Sequence, residues 1–373
     1  MLDLLVRPIR VHPFFGYRNA ERLRISARAL RTGTPDFADA GRWQAFRTMM
    51  GQFLSREVAE LPVRLEVAQG GGRPLVFHGV TDREGYLHFD VAVARPAASA
   101  DTEPEWETVA LHWRDRYGAH SVDGFVLSPG TATALAVISD IDDTIIETGI
   151  TGSVSQIARN WRRVLAELPN DRLLVPGADM FYQALGGGAV QDEAGGHLGE
   201  HHRATRNPFF YISSSPWNLF SYLVAFQRGR GLPLGPLMLR DWGANAATFG
   251  RSSHAAHKRA AIDALLAFYP RLDFALIGDD TQGDLIAYGE TVTRHPDRIR
   301  AVFVRAVGEP HTPEETAARA AIERAGVPLW LGGDYSQGQA FLRSVGLDGS
   351  APAQWVVATT VKQPASAPPA AAG

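Results

Sequence analysis

The chain has 373 residues, of which 45% are hydrophobic, and its formal net charge is −3. This composition is typical of a globular protein with a large core, and the absence of a basic field argues against nucleic acid as a partner. Because the chain has no cysteine, disulfides, thiolate catalysis and cysteine-ligated metal centres are excluded. Its first residues do not show the basic start and long apolar stretch of a signal peptide, and no apolar run approaches the roughly 18 residues that span a membrane. We therefore expect a cytoplasmic protein without a transmembrane segment.

Residues 1–130 carry the pattern of a β-sandwich-like N-terminal domain. Short runs in which polar and apolar residues alternate are bounded by Gly, Asp and Pro, which is typical of sandwich strands. The clearest of these runs lie at 22–27, 63–67, 86–91 and 109–113. Between two of them, residues 42–58 show an apolar stripe at helical spacing, from Trp43 to Leu54, with arginines beside it. This predicted helix either packs on the sandwich or lies on a membrane surface.

After residue 130 the pattern changes to alternating strands and helices. Apolar runs at 134–139, 208–212, 273–277, 300–304 and 327–331 alternate with helical patterns at 217–227, 255–268 and 313–325. Such alternation predicts an α/β domain over 131–347, with a doubly wound parallel sheet that has helices on both faces. A glycine-rich insert at about 150–207 is long enough to shape access to a site, and 348–373 reads as a flexible Ala/Pro-rich tail.

Acidic residues follow the first strand of the α/β domain. Asp140 and Asp142 come directly after the apolar run that ends at Ser139, and alternation along the chain points the two carboxylates to the same side. The carboxyl ends of parallel strands are where open α/β sheets bind ligands. Clustered carboxylates repel each other, and a hard divalent ion such as Mg²⁺ relieves that repulsion. The pattern therefore predicts a nucleophile, a helper acid and a metal.

A second strand ends in hydroxyl groups. The run Phe209–Trp217 passes from apolar residues into Ser213, Ser214 and Ser215, followed by Pro216. Ser213 and the backbone N–H groups after it can donate hydrogen bonds to phosphate oxygens. Ser215 has an alternative interpretation as the cap of a helix with Pro216 at its first position.

Lysine is rare in this chain. Of 37 Lys and Arg residues only Lys258 and Lys362 are lysines, and Lys362 lies in the tail. A compact ammonium group meets a small anion in a tight pocket in a way that a planar guanidinium cannot. Lys258 is therefore either a phosphate ligand or a solvated lysine on a helix.

A third strand ends in Ile277–Asp284, a segment with three acids. Asp279 is the best candidate for a second metal ligand, and Asp280 or Asp284 would reach the ion directly or through a water molecule. A zinc site built from His254, His257 or the His201–His202 pair is an alternative that the spacing supports less well.

The order acid, hydroxyl, lysine, acid resembles the haloacid dehalogenase superfamily of phosphotransferases over residues 134 to about 345. The segments SDIDDT (139–144), YISSSPW (211–217), HKR (257–259) and IGDDTQGD (277–284) are similar to those of the phosphatidate phosphatase family first associated with yeast actin patches. Members of that family carry a β-sandwich-like N-terminal region, which agrees with residues 11–130. One departure is Ile146, where many members have a lysine.

The resemblance implies a Mg²⁺-dependent phosphatidate phosphatase. It makes Asp140 the nucleophile, Asp142 the general acid and base, and Ser213, Ser214 and Lys258 the phosphate ligands. Asp140, Asp142, Asp279, Asp280 and Asp284 are the implied metal ligands. The substrate would be phosphatidic acid, met at a membrane surface by a cytoplasmic protein that binds there peripherally. A phosphatase for a soluble phosphomonoester and a non-catalytic lipid-binding scaffold are the alternatives.

Overall fold

The computed structural model describes residues 8–31, 56–69, 72–93, 102–141, 175–188, 204–240, 251–281, 283–307 and 312–349. These residues form two sheets, one in each half of the chain. The predicted insert is described only in part, and the Ala/Pro-rich tail lies outside the described residues apart from its first two positions. Of the helices in these ranges, none combines the length and the apolar character needed to span a membrane.

The N-terminal half is rich in strands, as the alternation predicts. Its strands are β1 (Ile9–Pro13), β2 (Gly16–Arg18), β3 (Arg22–Arg31), β4 (Arg56–Glu57), β5 (Pro62–Val67), β6 (Leu75–Val80), β7 (Tyr86–Ala92), β8 (Glu105–Asp115) and β9 (Gly118–Ser128). They pair in the order β1-β3-β2-β9-β8-β5-β6, and β4 and β7 also pair with β3. All four strands predicted in this region are confirmed, whereas β1, β2, β4, β6 and β9 escaped the sequence analysis.

One part of the predicted helix at 42–58 is wrong. Arg56 and Glu57 form β4, which pairs antiparallel with the end of β3. Extended pairing with a long neighbouring strand replaces the last turn of helix that the apolar stripe suggests. Residues 32–55, which include Trp43, lie outside the described residues.

The second half contains a six-stranded sheet in which every pairing is parallel. Its strands are β10 (Leu135–Asp140), β11 (Phe209–Pro216), β12 (Leu237–Arg240), β13 (Asp273–Asp279), β14 (Ile299–Arg305) and β15 (Leu329–Gly332), in the order β12-β11-β10-β13-β14-β15. The helices are α1 (Ala178–Gly186), α2 (Phe220–Gly229), α3 (Arg251–Phe268), α4 (Asp284–Arg294), α5 (Pro313–Arg324) and α6 (Tyr335–Ser344). The α/β prediction with a parallel sheet is confirmed.

Helices cover both faces of this parallel sheet. Phe209 stacks on Tyr182 of α1 with ring centroids 5.5 Å apart. The next residue, Phe210, packs on Tyr269 just after α3, at 5.4 Å. Because successive side chains of a strand point to opposite faces, α1 and the end of α3 lie on opposite sides of the sheet. The finer classification as a doubly wound fold like that of the haloacid dehalogenases stays a prediction.

The two sheets are joined by aromatic contacts and a hydrogen bond from residues in and next to β2. Phe14 stacks on Trp217 with ring centroids 4.3 Å apart, and Tyr17 meets Phe210 edge-on at 6.0 Å. Asn19 Nδ2 donates a hydrogen bond to the Phe268 carbonyl at 2.8 Å. The apolar surface buried here stabilises the pair of sheets by the same hydrophobic effect that stabilises each core.

Candidate active site

Three neighbouring strands bring the predicted motifs to one edge of the parallel sheet. Strand β10 lies between β11 and β13, and in the register Asp140 pairs with Ile212. On the other side Ser139 pairs with Ile277, two residues before Asp279. Because the carboxyl ends of neighbouring parallel strands lie at the same edge of a sheet, the acids and hydroxyls meet at that edge.

A buried acidic triad occupies this edge. Asp140, Asp279 and Asp284 each offer one carboxylate oxygen, and these oxygens lie within 4.8 Å of one another. None of the three residues is more than 1% exposed. Carboxylates held this closely, away from water, match the oxygen ligand set of a hard divalent cation. The triad can therefore hold a divalent metal.

Gly278 makes the approach of Asp284 feasible. Asp284 is the first residue of α4, and its Oδ2 accepts a hydrogen bond from the Asp279 backbone N–H at 3.1 Å. A Cβ at position 278 would lie 2.3 Å from that Oδ2 and 2.7 Å from the Tyr288 hydroxyl. Only glycine leaves room there, so the Gly-Asp-Asp sequence at the end of β13 has a steric explanation.

Lys258 lies among these carboxylates. It is 1% exposed, its Nζ lies 3.0 Å from Asp140 Oδ1, and it also donates to Asp284 Oδ1. Burial by itself disfavours the ammonium form, but the charges of Asp140, Asp284 and Asp279 outweigh burial and hold the pKa of Lys258 above its ordinary value. Lys258 is thus buried in contact with carboxylates, which excludes the interpretation as a solvated helix lysine.

The acids are not equivalent. Burial, followed by repulsion from Asp284, raises the pKa of Asp279 to about 7. Lys258 and the hydrogen bonds from Thr281 act in the opposite direction. Thr281 donates both its N–H and its hydroxyl to Asp279 Oδ1. The single lysine therefore does not fully compensate the acidic triad.

The serines lie beside the triad on β11. Ser213 is fully buried, and its Oγ accepts a hydrogen bond from the Ser215 N–H at 3.0 Å. Ser215 does not cap a helix, because the turn that follows is a 3-10 helix at Trp217–Leu219, preceded by Pro216 and without a side-chain cap. The side chain of Ser214 lies outside the described residues.

Asp280 is placed differently from the other acids. Its Oδ1 accepts a hydrogen bond from the Val307 N–H at 2.8 Å, and its own N–H donates to the Arg305 carbonyl at 3.1 Å. These bonds join the ends of β13 and β14. Asp280 does not belong to the triad, and its role as a metal ligand stays a prediction.

Asp142 lies outside the described residues, as do His201 and His202, and the side chain of His254 is likewise not described. Within the described parts of the chain, no second group of three acidic or histidine side chains comes together. The sites predicted for these residues therefore stay predictions.

Two hydroxyl groups beneath the site were missed by the sequence analysis. The Tyr182 hydroxyl of α1 lies 2.6 Å from Ser139 Oγ, which donates to the Asp140 carbonyl at 2.7 Å. Ser139 and Tyr182 are both fully buried. Ser139 is adjacent to Asp140 in the chain, but nothing in the local sequence around Tyr182 indicates this contact.

The comparisons with known proteins agree with this geometry. Residues 135–306 match the family described as phosphatidate phosphatase APP1, catalytic domain. The chain is 27% identical over 266 residues to phosphatidate phosphatase APP1 of Saccharomyces cerevisiae, covering 68% of this chain and 39% of the yeast protein. The chain thus spans well under half the length of this curated relative.

Solved structures show only weak similarity. The beta-glucuronidase of Parabacteroides merdae has a TM-score of 0.26 at 10% identity, covering 88% of this chain and 39% of that one. A family two carbohydrate esterase from Cellvibrio japonicus has a TM-score of 0.18 at 11% identity, covering 92% of this chain and 99% of that one. Similarities of this size do not indicate a shared fold.

The family match begins at the first residue of β10, extends just past β14 and includes Asp140, Ser213, Lys258 and the acids that follow β13. Residues 135–306 therefore resemble the phosphatidate phosphatase APP1 catalytic-domain family, and the resemblance that the four motifs predict is confirmed.

Proposed function

We propose that this protein is a Mg²⁺-dependent phosphatidate phosphatase with a haloacid dehalogenase-like catalytic domain, which converts phosphatidic acid to diacylglycerol and phosphate. The observation that carries the proposal is the buried cluster of Asp140, Asp279, Asp284 and Lys258 at the carboxyl edge of the sheet. It lies within the segment that matches the family.

In the first step, a carboxylate oxygen of Asp140 attacks the phosphorus atom, and the bond between phosphorus and the glycerol oxygen breaks. Asp142 donates a proton to the departing alkoxide, which leaves as the hydroxyl of diacylglycerol. The phosphoryl group is then bound to Asp140 as an acyl phosphate. Lys258 and Ser213, with Ser214, hold the phosphoryl oxygens, whose charge the Lys258 ammonium balances.

In the second step, Asp142 accepts a proton from water, and the water oxygen attacks the phosphorus atom. The bond from phosphorus to Asp140 breaks, which releases inorganic phosphate and restores the carboxylate. Lys258, 3.0 Å from Asp140 Oδ1 and held also by Asp284, is placed to keep the carboxylate oriented in both steps.

The residues at this edge fit a bound Mg²⁺. Three carboxylates face one ammonium group, and burial, followed by repulsion from Asp284, raises the pKa of Asp279. Asp140, Asp279 and Asp284, with Asp142 and Asp280 as further candidates, would hold the ion. When bound, Mg²⁺ supplies positive charge that reduces the repulsion between the anionic nucleophile and the anionic phosphate.

The test is phosphate release from dioctanoyl phosphatidic acid and from a panel of soluble phosphomonoesters, with and without Mg²⁺. Asp140→Asn provides the blank, since it removes the nucleophile and nearly conserves the shape of the side chain. Release from the lipid that requires both Asp140 and Mg²⁺ is the expected result.

Two other outcomes would change the proposal in different ways. Preferential hydrolysis of a soluble ester would retain the chemistry and discard the lipid substrate. If the wild-type protein were no more active than Asp140→Asn on every substrate, the proposal of phosphatase activity would be refuted and a lipid-binding scaffold favoured. Sedimentation with anionic liposomes then measures whether the protein binds a membrane surface peripherally, as a cytoplasmic enzyme for a lipid must.

A further inference from the structure

We propose that Arg28 of the N-terminal sheet is a positioning residue for the phosphate-binding serines. By holding Asn218, it fixes the turn that follows Ser213 and Ser215. The inference rests on the proposed function, because it assigns this N-terminal residue a part in binding phosphate at the same site.

Strand β12, which lies beside β11, does not fix the segment that carries Ser213, Ser214 and Ser215. Strand β12 pairs with Ser213 and next with Pro216, and the register shifts between these two positions. Residues 214 and 215 are therefore not held by a regular ladder of hydrogen bonds. The chain then turns into the 3-10 helix at Trp217–Leu219. Other contacts must hold this segment in place.

The N-terminal sheet supplies those contacts. Phe14 is 5% exposed, stacks on Trp217 at 4.3 Å and meets Phe220 edge-on at 4.9 Å. Its backbone N–H donates to the Ser26 carbonyl of β3 at 2.8 Å. Arg28, two residues further along β3, donates from Nη1 to Asn218 Oδ1 at 2.6 Å.

Arg28 is itself rigidly held. It is 8% exposed, and its Nε donates to the Glu84 carbonyl at 3.0 Å. Its Nη2 lies 3.3 Å from Glu57 Oε1, and its guanidinium lies 4.5 Å from the centroid of the Tyr86 ring. A buried cation with all of these contacts is a firm support for Asn218. Only two residues separate Asn218 from Ser215, so a loss of this support reaches the serines directly.

Arg24 provides a matched control. It projects from the same face of β3 and its guanidinium lies 4.7 Å from the centroid of the Phe268 ring, so it also joins the two sheets. Phe268 ends α3, at the opposite edge of the parallel sheet from the serines. Removing Arg24 weakens the contact between the sheets without touching the serine segment.

The experiment measures two properties of the full chain. The first is hydrogen–deuterium exchange in peptides spanning 211–220, where the Ser215 N–H bonded to Ser213 reports on the segment. The second is the split of kcat and KM for p-nitrophenyl phosphate with Mg²⁺. Arg28→Met and Asn218→Ala are expected to speed exchange in these peptides about fivefold or more and to lower kcat/KM about tenfold.

The pattern across variants separates positioning from general stability. The double variant of Arg28→Met and Asn218→Ala should be no worse than the more severe single one, because both remove the same bond. Asn218→Asp keeps an oxygen that accepts the hydrogen bond from Arg28, so its exchange at 211–220 and its kcat/KM should stay within about threefold of the wild-type values. Arg24→Met should lower the melting temperature but leave exchange at 211–220 and kcat/KM within about twofold of wild type.

The inference would be overturned if a folded Asn218→Ala protein showed unchanged exchange and unchanged kcat/KM. It would also be overturned if Arg24→Met and Arg28→Met changed exchange at 211–220 and kcat/KM equally. The exchange result decides the positioning role even if no activity is found. Failure of the proposed function would show itself separately, as wild-type protein no more active than Asp140→Asn.

Discussion

Replacing Gly278 with alanine tests the steric basis of the site. The new Cβ would lie 2.3 Å from Asp284 Oδ2 and 2.8 Å from Asp284 Cβ. A normal contact requires Asp284 to retreat by about 1 Å, because non-bonded atoms repel steeply below that separation. Since Gly278 lies in a strand of the closed core, the backbone of β13 cannot move away to make room.

The retreat of Asp284 has two consequences. Its bond from the Asp279 N–H, now 3.1 Å, breaks, and its contact with the buried Lys258 weakens. Overpacking of a core costs about 1–3 kcal/mol, and a lost hydrogen bond to a charged group costs about 1.5–3 kcal/mol. We expect Gly278→Ala to lower the free energy of unfolding by about 3 kcal/mol, and to lower kcat about 100-fold because Lys258 and Asp140 shift.

Urea unfolding followed by tryptophan fluorescence measures the first effect, and phosphate release measures the second. Gly333→Ala is the matched control, because a Cβ there meets only the Ala306 carbonyl oxygen at 3.7 Å. It should change the free energy of unfolding by less than about 1 kcal/mol. A Gly278→Ala protein as stable and as active as Gly333→Ala would refute the steric argument.

Three further predictions concern single side chains. Lys258→Arg should abolish phosphate release and lower the free energy of unfolding by about 1–3 kcal/mol in urea, because a guanidinium overfills a site built for an ammonium group. Tyr182→Phe should cost about 1–2 kcal/mol in the same assay, through the hydroxyl lost beside Ser139, and an unchanged midpoint would contradict the contact. Burial, helped by Arg10, lowers the pKa of His12 from 6.5 to about 4, so the unfolded chain protonates first as the pH falls. The stability that neutral His12 contributes is present above pH 6.5 and is lost as the pH falls toward 4. Between pH 7 and 4, the free energy of unfolding of the wild type should therefore fall by up to about 3 kcal/mol more than that of His12→Gln. Parallel pH profiles of the two proteins would contradict this prediction.

The sequence is informative about strands because burial of one face enforces a period of two. Within the described residues, every strand predicted from that period or from an apolar run is present, and the parallel sheet follows from the alternation of strands with helices. What the period does not reveal is whether the other face meets water. Arg24 and Arg28 occupy polar positions of β3 that read as exposed, yet both contact the second half of the chain.

The site was predictable to the extent that it depends on where strands end. Asp140, Lys258 and Asp279 lie together because adjacent parallel strands and one helix converge at a single edge. The sequence left Asp280 and Asp284 equivalent. The distinction is conformational, because Asp280 faces the Val307 N–H while Asp284 begins a helix and turns toward Gly278.

The charge balance of the site explains why its acids need a partner beyond Lys258. Each carboxylate of the triad is buried, so each carries a desolvation cost that an ion pair must offset. Lys258 reaches Asp140 and Asp284, and Asp279 is left with hydrogen bonds from Thr281 and a pKa raised to about 7. A divalent cation among the three oxygens would supply the positive charge that Asp279 lacks. Because such a cation would bind the folded chain and not the unfolded one, the charge proposed to assist phosphoryl transfer would also stabilise the fold around it.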